Sequence, residues 1–407
     1  MSSPKHTNKP PFDTIVRRSN IPQSASRPVA TPLFPSVVYA SPSADTLDAQ
    51  YEGKVDGYTY AREGHPNADI LASKIDSLEG IASDGDAPGG IVTSSGMGAI
   101  SAMFLGLLKQ GDQVLAGDQL YGRSLRMLSQ DLPRLGFKTG FFDACDAASL
   151  EAAIQPHTRM VMIEAVSNPT LRVADVAGIA ALAARHNLIL VVDNTFTTPA
   201  VFRPFDHGAD IIIHSVTKFL AGHSDVTLGY VAARDPEHRT AIYDAAVTWG
   251  MTPSPFDCWL AERGMHSFEV RFAAAQANAA AIADGLVGLP GMRQVLYPGR
   301  ADHPDHALAA SLFDGAFGNM VSFEIEGGRA EVNRFIEAAG QIPFAPTLGD
   351  VATTLSHPAS SSHRALSADA RAALGISEGF FRLSVGIEPA ALLLGELQAA
   401  LAAIKGA

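Results

Sequence analysis

Between residues 90 and 231 the chain alternates short apolar runs with longer stretches in which apolar residues recur every three or four positions. The runs fall at 90–92, 113–116, 137–142, 160–165, 188–192, 211–213 and 230–231. They are too short for helices and are bounded by Gly, Asp and Ser, so they predict buried strands, while 99–108 and 176–186 predict helices. Strands that are apolar throughout need cover on both sides. The pattern therefore predicts an α/β protein with a large, mostly parallel sheet clothed by helices on both faces. In such a sheet chemistry belongs at the carboxyl ends of the strands.

Outside that block the pattern changes. Residues 1–60 are rich in Pro, Ser and Thr with little periodicity and predict an arm, either disordered or wrapped on another surface. Residues 61–255 make up the large domain. From 256 to 285 the chain reads as one long Ala-rich helix, apolar enough to be buried as it leads out of that domain. Beyond about residue 290, a strand pattern at 318–326 and a helix pattern at 330–339 predict a smaller α+β domain, so that 256–407 forms the C-terminal part.

Composition narrows the class. With 407 residues, 47% hydrophobic and 18% charged, the chain can bury a large core without disulfide or metal. A formal charge of -12 opposes nucleic acid and anionic membrane. Cys145 and Cys258 lie far apart and read as reduced thiols. The first twenty residues lack the apolar core of a signal peptide, and no run approaches the ~20 apolar residues of a membrane span, so a cytoplasmic protein is expected.

Candidate chemistry sits at the ends of the apolar runs. Lys218 follows the run 211–213, with Ser215 and Thr217 three and one residues before it. A lysine so placed suits a Schiff base with an aldehyde cofactor, pyridoxal 5'-phosphate, whose phosphate the two hydroxyls would take; the same pattern also serves a solvated strand end. Asp193 closes the run 188–192, where a buried carboxylate needs a partner and a protonated pyridine nitrogen qualifies; a turn or N-cap aspartate is the alternative. Thr195, two residues on, would touch the ring or its oxygen. Ser94 to Gly98 join a strand to a helix with glycines that admit an anion at the helix N-terminus, or simply make a tight turn. Tyr121, past the run 113–116, would stack on a cofactor and carry protons, or pack as a loop residue. Arg382 interrupts the apolar stretch 380–386 and needs an anion, either a substrate carboxylate or an internal ion pair. The histidines, His357 and His363 included, lack metal-ligand spacing, and neither a Gly-x-Ser-x-Gly elbow nor a dinucleotide fingerprint is present.

Taken in order, Tyr60-Ala-Arg62-Glu-Gly64-His-Pro66, Ser95-Gly96-Met97, Tyr121-Gly122, Glu164 with Asn168-Pro169-Thr170, Asp193-Asn194-Thr195, Ser215-x-Thr217-Lys218, Leu348-Gly349-Asp350 and Arg382-Leu383-Ser384-Val385-Gly386 resemble the Cys/Met-metabolism family of pyridoxal-phosphate enzymes. The resemblance implies the fold-type I, aminotransferase-like architecture and a homotetramer of two tight dimers. By it, Tyr60 and Arg62 reach the neighbouring subunit's cofactor phosphate, while Gly96, Met97, Ser215 and Thr217 hold the phosphate within the subunit. It further implies that Asp193 pairs with the ring nitrogen, Tyr121 stacks on the ring, Lys218 is catalytic, Arg382 clamps the substrate carboxylate, Asn168 lies near the cofactor oxygen and that carboxylate, and Thr347 belongs to the substrate site. His65 and Asn67 depart from the family's usual Asn and Thr, and Thr347 from its Ser.

Two features bear on the substrate. Pro346 stands where relatives that handle cystathionine often have glutamate, and Arg126 stands where an arginine can meet a distal carboxylate, with Arg123 beside it. Within the resemblance, the expectation is a carbon-sulfur lyase eliminating from methionine-, homocysteine-, cysteine- or cystathionine-type substrates, and a pocket that is cationic and short of acids favours the simple sulfur amino acids among them. The alternatives are γ-replacement on an O-acylhomoserine and, in another class, a non-catalytic binding or regulatory relative, against which the joint presence of Lys218, Asp193 and Arg382 argues.

Overall fold

The computed structural model describes residues 24–81, 89–364 and 366–404. The chain divides into two compact units, Met1–Leu33 and Phe34–Ala407, and the second holds every helix and strand among the described residues. Of the expected arm, residues 1–23 lie outside the described residues. Its remainder contains a helix, Ala44–Tyr51, started by Ser43, whose hydroxyl accepts from the Thr46 N–H at 3.1 Å.

Seven strands form the large sheet: β1 (Ile91–Thr93), β2 (Gln113–Gly117), β3 (Lys138–Phe142), β4 (Thr158–Glu164), β5 (Ile189–Asp193), β6 (Ile211–Ser215) and β7 (Gly229–Ala233). Their spatial order is β1-β7-β6-β5-β4-β2-β3, and only β7 runs antiparallel to its neighbours. Alternate residues enter different cores. Leu190 and Val192 pack on one face with Ile75, Ile179 and Phe202, while Val191 packs on the other with Phe104, Met103 and Ile242. The doubly covered sheet expected from the apolar runs is therefore present.

A second sheet has the order β10-β11-β9-β8, all antiparallel, from β8 (Met292–Leu296), β9 (Met320–Ile325), β10 (Thr354–Ser356) and β11 (Phe380–Ser384). Its core is centred on Phe323, Phe335 and Phe381, with ring centroids 5.0–5.8 Å apart. The helix expected over 256–285 is two helices, Pro255–Met265 and Phe268–Leu286. Ser267 breaks it: its hydroxyl donates to the Gly264 carbonyl at 3.3 Å and accepts from Arg271 Nε at 3.1 Å, a local alternative to the helical ladder. Among the described residues no helix is long and apolar enough to cross a membrane.

Candidate active site

The lysine turn follows directly from β6. The Lys218 N–H returns to the Ser215 carbonyl at 3.1 Å and the Gly222 N–H to the Lys218 carbonyl at 2.8 Å, so one helical turn caps the strand. Val216, Phe219 and Leu220 are buried and anchor that turn in the core. Lys218 Nζ lies 3.3 Å from Thr347 Oγ1. Burial, with the Arg382 charge adding to it, pushes its ammonium down to about 8, which makes it a usable amine near neutral pH. Two contacts lock the turn. Gly349, at φ +83°, passes so close that a Cβ there would sit 2.7 Å from the Lys218 carbonyl carbon. The Arg271 guanidinium donates to the Phe219 and Leu220 carbonyls at 3.3 Å.

Asp193 ends β5 and pairs in register with Glu164, which ends β4. Asp193 Oδ1 accepts from Thr195 N at 3.0 Å and Thr195 Oγ1 at 2.6 Å. Thr195 Oγ1 in turn accepts from the Ser215 N–H at 2.8 Å. The Thr195 hydroxyl thus braces Asp193 against β6, with its donor and an acceptor site both used locally. Burial raises the Asp193 pKa, opposed by the Thr195 bonds and by His214. Behind it lies a buried network that sequence reasoning missed: Glu79 Oε1 accepts from Asn194 Nδ2 at 2.9 Å and pairs with His214 Nε2.

Toward β1, Ser95 caps the helix Gly96–Leu107, accepting from the Gly98 N–H at 2.9 Å. No acidic residue occupies the first turn, so the helix dipole and the N–H groups of Gly96 and Met97 favour an anion there. A Cβ on Gly96 would lie 2.8 Å from Ser215 Cβ, which brings that N-terminus against the end of β6. Thr217 Oγ1 donates to the Leu228 carbonyl at 3.2 Å and accepts from the Leu228 N–H at 3.0 Å. Its proton is thereby committed, and of the two expected phosphate hydroxyls Ser215 is the freer donor.

Arg382 stands in the middle of β11, only 5% exposed. Nη1 donates to Asn168 Oδ1 at 2.6 Å and Nη2 to the Thr347 carbonyl at 2.9 Å, while Nε is buried without a partner among the described residues. Its direct partners are neutral, so the internal ion pair is not formed. Burial brings the guanidinium down to about 10. His363, buried alongside, is pushed down to about 4 by burial and by the Arg382 charge.

The remaining candidates are peripheral. Tyr121 is 41% exposed and its N–H donates to Glu164 Oε1 at 2.7 Å. Arg123 and Arg126 are exposed on the helix Gly122–Arg126 and join none of these bonds. Tyr60 is 39% exposed, with the Arg62 guanidinium 5.2 Å from its ring centroid and Arg62 3.7 Å from Glu63. Pro346 is exposed at the apex of a turn closed by the Thr347 N–H on the Ala345 carbonyl at 2.8 Å. Glu164, quoted in a motif but given no role, proves central; the only signal for it was a carboxylate ending an apolar run. No group of three metal-binding side chains occurs among the described residues.

The donor set fits a phosphorylated pyridine aldehyde: an amine of lowered basicity, a buried carboxylate with Oδ2 unused by Thr195, and an anion-favouring helix start. Residues 13–402 match the family of Cys/Met metabolism PLP-dependent enzymes. The chain belongs to that family. Its members here include the L-methionine gamma-lyase of Pseudomonas putida, 36% identical and covering 94% of each chain. The O-succinylhomoserine sulfhydrylase of Pseudomonas aeruginosa is 35% identical, covering 97% of this chain and 96% of its own. A crystal structure of cystathionine gamma synthase from Xanthomonas oryzae pv. oryzae, in complex with cystathionine, superposes with a TM-score of 0.85 at 39% identity over 93% of this chain and 94% of its own. The protein is thus a fold-type I, pyridoxal-phosphate-dependent enzyme of the sulfur amino-acid elimination and replacement family. The regulatory alternative falls with that assignment.

Proposed function

We propose that the enzyme is a carbon-sulfur lyase that eliminates a thiol from methionine-, homocysteine- or cysteine-type substrates, releasing keto acid and ammonia. Pyridoxal phosphate, when bound, supplies the electron sink that makes the Cα proton removable. Lys218 is the residue that would hold it, and its amine would carry the proton from Cα, and in γ chemistry from Cβ as well. Asp193, braced by Thr195, would hold the ring N–H; Gly96, Met97 and Ser215 would take the phosphate, joined by Thr217 once its hydroxyl proton turns from the Leu228 carbonyl; Tyr121 would cover the ring and assist the leaving group. Arg382 clamps the substrate carboxylate with Asn168 and Thr347. Tyr60 and Arg62 serve the neighbouring subunit's phosphate in a cytoplasmic homotetramer, a reading supported by their exposure.

The observation that carries this proposal is Arg382 held by two neutral acceptors within the same cluster as Lys218, both meeting Thr347. The choice of elimination rests on Pro346, which offers no anion to the second ammonium of cystathionine. Arg126 would meet a distal group from the helix Gly122–Arg126. Replacement on an O-acylhomoserine is the second reading, favoured by the likeness to a gamma synthase at a TM-score of 0.85. Values of kcat/KM across methionine, homocysteine, cysteine, cystathionine and O-acylhomoserines decide between them. Cystathionine turned over far better than the rest refutes the Pro346 argument, and thiol-dependent product exceeding keto acid moves the enzyme to the replacement class.

A further inference from the structure

Glu164 and Asp193 end neighbouring parallel strands at the same register, so two carboxyl groups share one buried edge of the sheet. Like charges so close and so dry do not both ionise. Asp193 has the support an anion needs, two bonds from Thr195 and a favourable charge from His214. Glu164 has one neutral donor, the Tyr121 N–H, on Oε1; its Oε2 is buried with no partner among the described residues. A bare carboxylate oxygen in that position would be strongly disfavoured. The nearby cation gives it no hydrogen bond: Arg382 Nε is likewise buried and without a partner among the described residues, and its other nitrogens donate to Asn168 and Thr347.

We propose that Glu164 works as a neutral carboxylic acid, a positioning residue that fixes Tyr121 through one oxygen while leaving the Arg382 charge uncompensated for the substrate carboxylate. Burial and the repulsion of Asp193 raise its pKa well above the usual carboxyl range, and the opposing effects of the Tyr121 bond and of Arg382 are smaller. The other charged groups around Arg382 agree with this division. Lys218 is cationic or neutral and His363 is held neutral, so the substrate supplies the only anion the guanidinium directly meets. The inference rests on reading Arg382 as the carboxylate clamp.

The test uses Glu164→Gln, which copies the neutral acid in shape and keeps an acceptor for Tyr121. Infrared difference spectra of wild type minus Glu164→Gln, recorded with and without cofactor, should show the loss of a protonated-carboxyl C=O band. Glu164→Gln should keep kcat/KM within about threefold of wild type and leave its pH profile unmoved, whereas Glu164→Ala, which strands the Tyr121 N–H, should lose about tenfold or more. Should Glu164→Ala fail to fold, the Glu164→Gln spectra and kinetics still decide. Absence of the band, or a KM for the amino acid lowered about tenfold in Glu164→Gln because a competing anion has gone, overturns the proposal. The band is read without turnover, so a wild type that shows it yet acts on no amino acid overturns the function proposed above and supports neutral Glu164.

Discussion

The Lys218 turn and the Tyr60–Arg62 segment are both predicted to meet the same kind of cofactor, but they are built in opposite ways. Lys218 is braced from every side within its own chain: by Ser215 behind it, Gly349 and Thr347 beside it, and Arg271 on the carbonyls that follow. The backbone of Tyr60 is bridged to Val38, but the side chains of Tyr60 and Arg62 are half exposed, their contacts being with each other and with Glu63. A group that must deliver a proton at one atom gains from being immobilised before the substrate arrives. A group proposed to serve a neighbour's site would gain its bracing only on assembly.

The sharpest way to break this contrast is Lys218→Ala. It removes the covalent anchor and proton carrier together, and turnover should fall by about three orders of magnitude or more, with loss of borohydride-trapped cofactor. Near-normal steady-state turnover would assign the work to another lysine. Next comes Arg62→Ala, for which cofactor retention on dialysis should weaken by about ten- to a hundredfold, the loss of one charge-assisted phosphate contact. Mixing it with Lys218→Ala under subunit exchange should restore activity, since one of the two composite sites then has both groups intact; no recovery would put the arginine in its own subunit's site.

A smaller effect is expected from pH. With the Lys218 ammonium lowered to about 8, its neutral amine rises from about a tenth at pH 7 to about nine-tenths at pH 9, and the rate of cofactor uptake by the cofactor-free protein should climb with it. Arg62→Ala should take up cofactor more weakly but with the same midpoint, because the exposed arginine does not touch the amine. A midpoint near 10 would show that the lysine is solvated rather than buried. Smallest of all, the cofactor-free stability of Arg62→Ala should stay within about 0.5 kcal/mol of wild type by denaturant unfolding, as befits an exposed side chain whose contacts, with the Tyr60 ring and Glu63, are themselves exposed.

What was legible in the sequence follows the same division. Lys218, Asp193 and Arg382 were readable because each is a charge set at the end or in the middle of an apolar run, where burial is implied and a partner required. The bracing role of Thr195 was not readable because a hydroxyl bonding an aspartate two residues before it is a local turn that no apolar pattern marks. The long helix hid its break at Ser267 because neither Gly nor Pro stands at the break itself and apolar residues continue on both sides. The helix Ala44–Tyr51 buries none of its residues and so left no apolar stripe to read. Glu164 remained without a role because its neighbour Asp193 is distant along the chain, and only strand register joins them.

Thr347 acts on the site through two different parts of itself. Its carbonyl holds Arg382 and its hydroxyl meets Lys218. The first depends on the course of the backbone and survives a change of side chain; the second vanishes with the hydroxyl. For anyone wishing to retune the enzyme, the position works as a control with two independent settings. Thr347→Val would free the amine while the hold on Arg382 stays set, and a change in the Pro346 turn would move that hold while the hydroxyl is kept.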